Sequence, residues 1–233
     1  MIKVAHLYYD FLNLYGENGN VLAIKDYLEN NNIEYQIDFI TVGDKIDINK
    51  YDLIYVGSGT ENNIIIALED IIKYQDDFKK YITDNKYIIA TGNSNILFGS
   101  IYETLNKSEI KCLNTFNYVS KETSFRTVGE QFYKDHNNQK IIGFLNHQVA
   151  FKNYPSNLFK VLHGNGYAPH KNKEGFNYNN FYGTLLIGPL LIRNPYFTQS
   201  IIDKLLKEHN LKTKNYINKD SIKAYETYLE LFK

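Results

Sequence analysis

Over the first hundred residues, short apolar runs alternate with longer stretches whose apolar side chains recur at helical spacing, which predicts parallel strands joined by crossover helices. Residues 3–9, 35–41, 53–56 and 87–90 read as strands, and 19–30 and most of 63–81 as helices. In the first helix Val21, Leu22, Ile24 and Leu28 fall near helical spacing. Each strand ends in a loop rich in Gly or Asn, where open parallel sheets hold their ligands. Past Gly99 the pattern shortens to extended pieces around 110–119, 125–132 and 141–146, which predict antiparallel or edge strands over one end of the sheet. Residues 163–181, dense in Gly, Asn and Lys, predict a surface loop with a possible hairpin. Residues 182–191 predict a buried strand interrupted by Gly188-Pro189. Two amphipathic helices, 195–209 and 220–232, close the chain, the second capped by Asp220 or Ser221. The predicted class is α/β, an open, mostly parallel sheet flanked by helices, with added antiparallel edge strands.

Composition changes this picture little. A chain of 233 residues, 43% hydrophobic and 15% aromatic, can bury one substantial core, so a single domain spanning 1–233 is expected. Lys plus Arg number 26 against 26 Asp plus Glu, so no sequence-wide field draws the chain to nucleic acid or an anionic membrane. No signal-peptide pattern opens the sequence, and no run approaches the roughly 20 apolar residues of a membrane span. A cytoplasmic chain is expected. Cys112 stands alone, closes no internal disulfide, and agrees with a reducing compartment.

Several stretches offer chemistry. Gly57-Ser58-Gly59-Thr60-Glu61-Asn62 begins like a dinucleotide fingerprint, but Asn62 stands where the third glycine belongs. A tight turn exposing backbone N–H groups explains the glycines better, and such groups could receive an oxyanion; a purely structural turn is the even alternative. His163 and His170 lack neighbours at metal-ligand spacing and read as solvated loop residues, so neither a metal nor a cofactor is expected. His147, at a strand end, is a stronger candidate for touching a ligand, against the plainer reading of a hydrogen-bonded structural histidine. Cys112 lies in an extended run without a glycine turn or helix start to lower a thiol pKa.

The stretch Ala90-Thr91-Gly92-Asn93-Ser94-Asn95-Ile96-Leu97-Phe98-Gly99 follows an apolar run as a nucleophile's strand-to-helix turn does. That turn is strained, so the residues two before and two after its centre must be small. Centred on Ser94, the flanks are Gly92 and Ile96, and branched Ile fits poorly. Centred on Gly92, they are Ala90 and Ser94, both small. The elbow therefore falls at Gly92, which has no side chain to attack with.

Several motifs in order resemble the CobB/CobQ-like class I glutamine amidotransferases along almost the whole chain. They are Leu12-Asn13-Leu14-Tyr15-Gly16-Glu17-Asn18-Gly19-Asn20, the turn Gly57-Ser58-Gly59, Phe125-Arg126-Thr127-Val128-Gly129, Gly143-Phe144-Leu145-Asn146-His147 and Gly183-Thr184-Leu185-Leu186-Ile187-Gly188-Pro189. The resemblance implies that family's flavodoxin-like fold. It also implies a cysteine that attacks glutamine's side-chain amide and a histidine before Gly-Pro that activates it, releasing glutamate and ammonia. Counted from Gly99 and from Gly188-Pro189, those positions hold Gly92 and Ile187, so both catalytic side chains are missing.

Three readings stay open. The first is a non-catalytic member of the family that binds a ligand, glutamine or a related amino acid, or a partner. By resemblance that partner is a Mur-ligase-like ATP-dependent subunit working on peptidoglycan precursors. The second moves the nucleophile to Ser94, with His147 as base. The third is a working amidotransferase through a misplaced residue, with Cys112 the only thiol available. In the first, Gly59, Ser94, Asn95, Arg126 and His147 line what remains of the pocket, and the guanidinium fork of Arg126 suits a carboxylate.

Overall fold

In the computed structural model, which describes residues 1–168 and 170–230, the two most apolar runs lie side by side inside a six-stranded sheet. They are β3 (Leu53–Val56) and β4 (Tyr87–Thr91), parallel, with every residue buried. Burial on both faces is why they read as continuous apolar runs instead of alternating ones. On one side β1 (Ile2–Leu7) and β2 (Tyr35–Ile40) continue the parallel sheet. On the other, β12 (Phe181–Thr184) pairs parallel with β4, and β11 (Phe176–Tyr178) is an antiparallel edge.

The helix α1 (Asn18–Asn30) buries Val21, Ile24 and Leu28 on one stripe, whereas Leu22 faces solvent. The helix expected over 63–81 is two: α2 (Glu61–Ile71), capped by Thr60 Oγ1 on the Asn63 N–H, and α3 (Gln75–Thr83), separated by a tighter 3-10 turn at Ile72–Tyr74. No Gly or Pro marks the break.

The remaining strands build a second, mostly antiparallel sheet. Its strands are β5 (Ile101–Glu103), β6 (Glu109–Lys111), β7 (Val119–Lys134), β8 (Lys140–Lys152), β9 (Phe159–His163) and β10 (Lys173–Glu174), with β7 central and β5 parallel to it. The extended pieces expected at 125–132 and 141–146 are parts of one long β7–β8 ribbon whose register shifts between Glu122 and Thr127. The ribbon meets the first sheet at a bridge between Phe144 and Ile187.

The strand expected over 182–191 stops at Thr184. Gly188 takes φ +85, Pro189 has no N–H to give a ladder, and the short helix α4 (Leu190–Arg193) follows. Then come α5 (Pro195–Glu208) and α6 (Lys219–Leu229). The cap of α6 is Asn218, whose Oδ1 accepts the Asp220 N–H at 2.9 Å, and not Asp220 or Ser221. The end of the helix expected at 231–232 lies outside the described residues. Among the described residues no helix is long and apolar enough to cross a membrane.

Candidate functional site

Because β3 and β4 are parallel neighbours, the turns after them meet. Behind β3 comes Gly57-Ser58-Gly59; behind β4 comes a 3-10 turn, Gly92–Phe98, whose residues are all buried. Gly92 opens that turn at φ +61, a conformation glycine adopts without a Cβ clash. A Cβ built on Gly92 would lie 2.4 Å from Ser58 Oγ, 2.6 Å from Ser58 Cβ and 2.8 Å from Ile187 Cγ2. Positions 92, 58 and 187, far apart in sequence, therefore point at one spot, and hydrocarbon and hydroxyl already fill it. Ile187 is held there by reciprocal backbone bonds with Phe144, Ile187 N–H to Phe144 O at 3.0 Å and the return at 3.4 Å.

Beside it, Asn93 spans the gap between the two turns. Its Oδ1 accepts from Ser58 Oγ at 2.9 Å and from the Gly59 N–H at 3.0 Å, and its Nδ2 donates to Gly59 O at 2.7 Å. Gly59 is tightly packed: a Cβ would meet Leu12 Cδ2 at 2.6 Å and Asn63 Cβ and Phe11 O at 3.1 Å, so the Leu12 side chain would have to shift to admit one.

Beneath the elbow lies a carboxylate that the pattern analysis passed over except as part of a motif. Glu17, fully buried, accepts from Tyr55 OH at 2.7 Å, from the Thr91 hydroxyl, from Asn20 Nδ2 at 3.3 Å and from the Gly188 N–H at 3.3 Å. Burial raises its pKa, opposed by the bonds from Thr91, Tyr55 and Gly188. Glu17 thus ties the start of α1, β3, the end of β4 and the loop after Ile187. The one signal for it in the sequence is an acidic residue among Gly and Asn just behind the first strand.

The predicted site residues divide into two groups. Ser94 and Asn95 are wholly buried and locally bonded. The Ser94 hydroxyl lies 2.7 Å from Thr91 O and 3.1 Å from Val56 O. Asn95 Nδ2 donates to Gly92 O at 3.0 Å and to Thr184 O at 2.8 Å, clipping β12 to the elbow. Arg126 stands at the rim, donating to Asn146 Oδ1 at 2.8 Å and to Gln148 Oε1, with Glu61 Oε1 3.9 Å away at the start of α2, two residues past Gly59. His147 lies between Asn146 and Gln148 on β8, so strand alternation turns it to the other face. There its Nδ1 pairs with Val149 O at 3.1 Å, while Nε2 is buried without a partner. Burial, aided by the nearby Arg126 charge and opposed by the Val149 bond, lowers its pKa to about 4.

Outside this region, Cys112 is buried with its thiol pushed up to about 12, and His163 and His170 are exposed. Among the described residues no group of three or more His, Cys, Asp or Glu is placed to hold a metal.

No protein-family model matches the chain. A curated relative, the lipid II isoglutaminyl synthase (glutamine-hydrolyzing) subunit GatD of Streptococcus pneumoniae, is 28% identical over 232 residues, 98% of this chain and 87% of the relative. The subunit of the same name from Staphylococcus aureus is 24% identical over 231 residues, covering 98% of this chain and 95% of its own. Among solved structures, a glutamine amidotransferase of Thermotoga maritima superposes with TM-score 0.51 at 11% identity, covering 89% of this chain and 83% of that one. A second glutamine amidotransferase gives TM-score 0.59 at 13% identity over 88% of this chain and 99% of that one. The chain is thus similar to GatD along nearly its whole length, and it shares the fold of the solved glutamine amidotransferases.

Proposed function

We propose that the chain is the amidotransferase-like subunit of a cytoplasmic complex that amidates peptidoglycan precursors, and that it does not itself hydrolyse glutamine. The names of the two GatD relatives support the complex and its lipid II substrate. The partner would be a Mur-ligase-like subunit that activates the acceptor with ATP. One observation carries the non-catalytic reading. Gly92 and Ile187, the positions where the family keeps its cysteine and histidine, face each other 2.8 Å apart measured from the missing Cβ, and neither bears a reactive group. Covalent attack on an amide needs a nucleophile beside a base, and hydrocarbon supplies neither. The surface left for binding would be the rim at Arg126, whose fork suits the carboxylate of an amino acid.

The deciding experiment measures glutamate released from glutamine by the purified chain, alone and with the ligase-like subunit. No release is expected in either mixture, and Ser94→Ala and Cys112→Ala should change nothing. Release that vanishes with one of those substitutions would identify a relocated nucleophile and overturn the reading. Arg126→Ala is expected to weaken glutamine binding about tenfold, the worth of a charge-assisted pair at a half-exposed rim. Unchanged binding of every amino acid or peptide ligand would remove the rim from the site.

A further inference from the structure

The turn after β3 presents one backbone N–H and one carbonyl, both on Gly59, to the space beside the elbow. A single side chain takes both. Asn93 receives the N–H on Oδ1 at 3.0 Å and gives Nδ2 to the carbonyl at 2.7 Å, and the Ser58 hydroxyl adds a third bond to the same Oδ1 at 2.9 Å. This is the pairing that a primary carboxamide makes with an extended backbone, and a primary carboxamide is also the end group of a glutamine side chain. Burying an amide is costly unless its donors and acceptors are met, and these three bonds meet both lone pairs of the oxygen and one of the two N–H donors. Asn93 has no alternative place beneath, since Ser58 and Ile187 close the space under Gly92. Asn93 as a whole is buried, with 8% of its surface exposed.

We propose that Asn93 is an internal ligand: its carboxamide occupies, within the same chain, a site shaped for a primary carboxamide, and so closes the amide end of the pocket while leaving the Arg126 rim open. The inference rests on the non-catalytic reading above and adds to it that the vacated site is closed by a specific contact, beyond lacking two side chains. It follows that a glutamine-like molecule engages the resting chain by its carboxylate end alone, and that removing the Asn93 side chain uncovers a carboxamide site at Gly59.

The test follows the Gly59 amide by nuclear magnetic resonance in the full chain, wild type and Asn93→Ala, with acetamide, acetate and L-glutamine as probes. In the wild type the Gly59 amide should exchange slowly with solvent and not move with acetamide. In Asn93→Ala it should exchange about tenfold faster, as for a lost hydrogen bond. Acetamide should then shift it and slow its exchange again, and acetate, which has no N–H for the Gly59 carbonyl, should do so less. A folded variant that ignores acetamide overturns the proposal, and so does a wild-type Gly59 amide that responds as strongly as the variant's. Should Asn93→Ala fail to fold, the wild-type Asn93 side-chain amide decides. A slowly exchanging Nδ2 proton unmoved by acetamide supports the internal ligand, and exchange like that of free asparagine overturns it. Glutamate appearing in the glutamine samples would sink the non-catalytic reading, whereas a wild-type acetamide response without glutamate sinks only the internal ligand.

Discussion

At Gly92 backbone conformation and packing reinforce each other. The residue sits at φ +61, where a side chain is strained, and any Cβ would press on Ser58 Oγ, Ser58 Cβ and Ile187 Cγ2. Gly92→Ala is therefore expected to destabilise the fold by about 2–4 kcal/mol, the sum of an overpacked core and a left-handed non-glycine residue. Ser58→Gly removes both Ser58 atoms, so in a double-mutant cycle it should recover about 1 kcal/mol or more of that loss. Additive effects in urea denaturation would show that the two positions do not share one space. The location of the elbow was legible from sequence, since only position 92 has small residues on both sides at the required spacing. Its filling was not. Ser58 and Ile187 come from turns 34 residues before and 95 after it, and no local pattern tells where their side chains point. Asn93 and Glu17 were missed for the same reason: a polar residue gains its meaning from partners that only the folded sheet brings near.

Elements read most clearly where burial is symmetrical. The continuous apolar runs of β3 and β4 could be placed at once, and the stripe of α1 fixed its buried face, whereas the 3-10 break between α2 and α3 carries no Gly or Pro to announce it. The β7–β8 ribbon showed mainly the half beside its turn, because the register shifts between Glu122 and Thr127 and the pairing beyond it left no clear pattern. For α6 the capping residue lay two residues before the predicted start. Asn218 accepts the Asp220 N–H, and the helix then buries Tyr225 against Phe132 and Ile142 of the ribbon, with Tyr225 OH donating to Lys140 O at 2.7 Å. Asn218→Ala should lower the stability of this helix by about 1 kcal/mol, speeding exchange of its amides about fivefold with little effect on the parallel sheet. Uniform acceleration across the chain would mean that α6 is not a separate unit of stability.

Across the whole molecule, a buried histidine and a buried glutamate with opposing titrations lie in or beside each sheet. At the first are His6 on β1, lying among the rings of Tyr9, Phe39 and Tyr55 with both ring nitrogens unpartnered, and Glu17 at the start of α1; in the second are His147 and Glu174. Burial lowers the pKa of His6 from 6.5 to about 4, opposed by Asp10, and that of His147 to about 4 as well. As pH falls from 6.5 toward 4 the unfolded chain takes up these protons first, so each histidine subtracts stability at up to about 1.4 kcal/mol per pH unit. Glu174 runs the other way. Burial raises its pKa from 4.5 to about 7 against bonds from Leu185, Thr184 and Gly175, so the native state keeps a proton the unfolded chain has lost, and stability falls as pH rises through that range. Glu17 shifts in the same direction as Glu174. Between pH 4.5 and 6.5 Glu174 offsets about one of the two histidines, and Glu17 opposes the other in direction, so the wild-type stability should change less steeply with pH than the two histidines alone would make it. Single substitutions should unmask the two halves. Relative to wild type, His6→Phe should gain stability as pH is lowered through the histidine range, and Glu174→Gln should gain it as pH is raised from 4.5 to 7, whatever fixed cost each carries from packing. Urea midpoints of the three proteins across this window provide the check. Profiles that stay parallel would mean that these buried groups keep their ordinary pKa values and that no opposition between them shapes the wild-type curve.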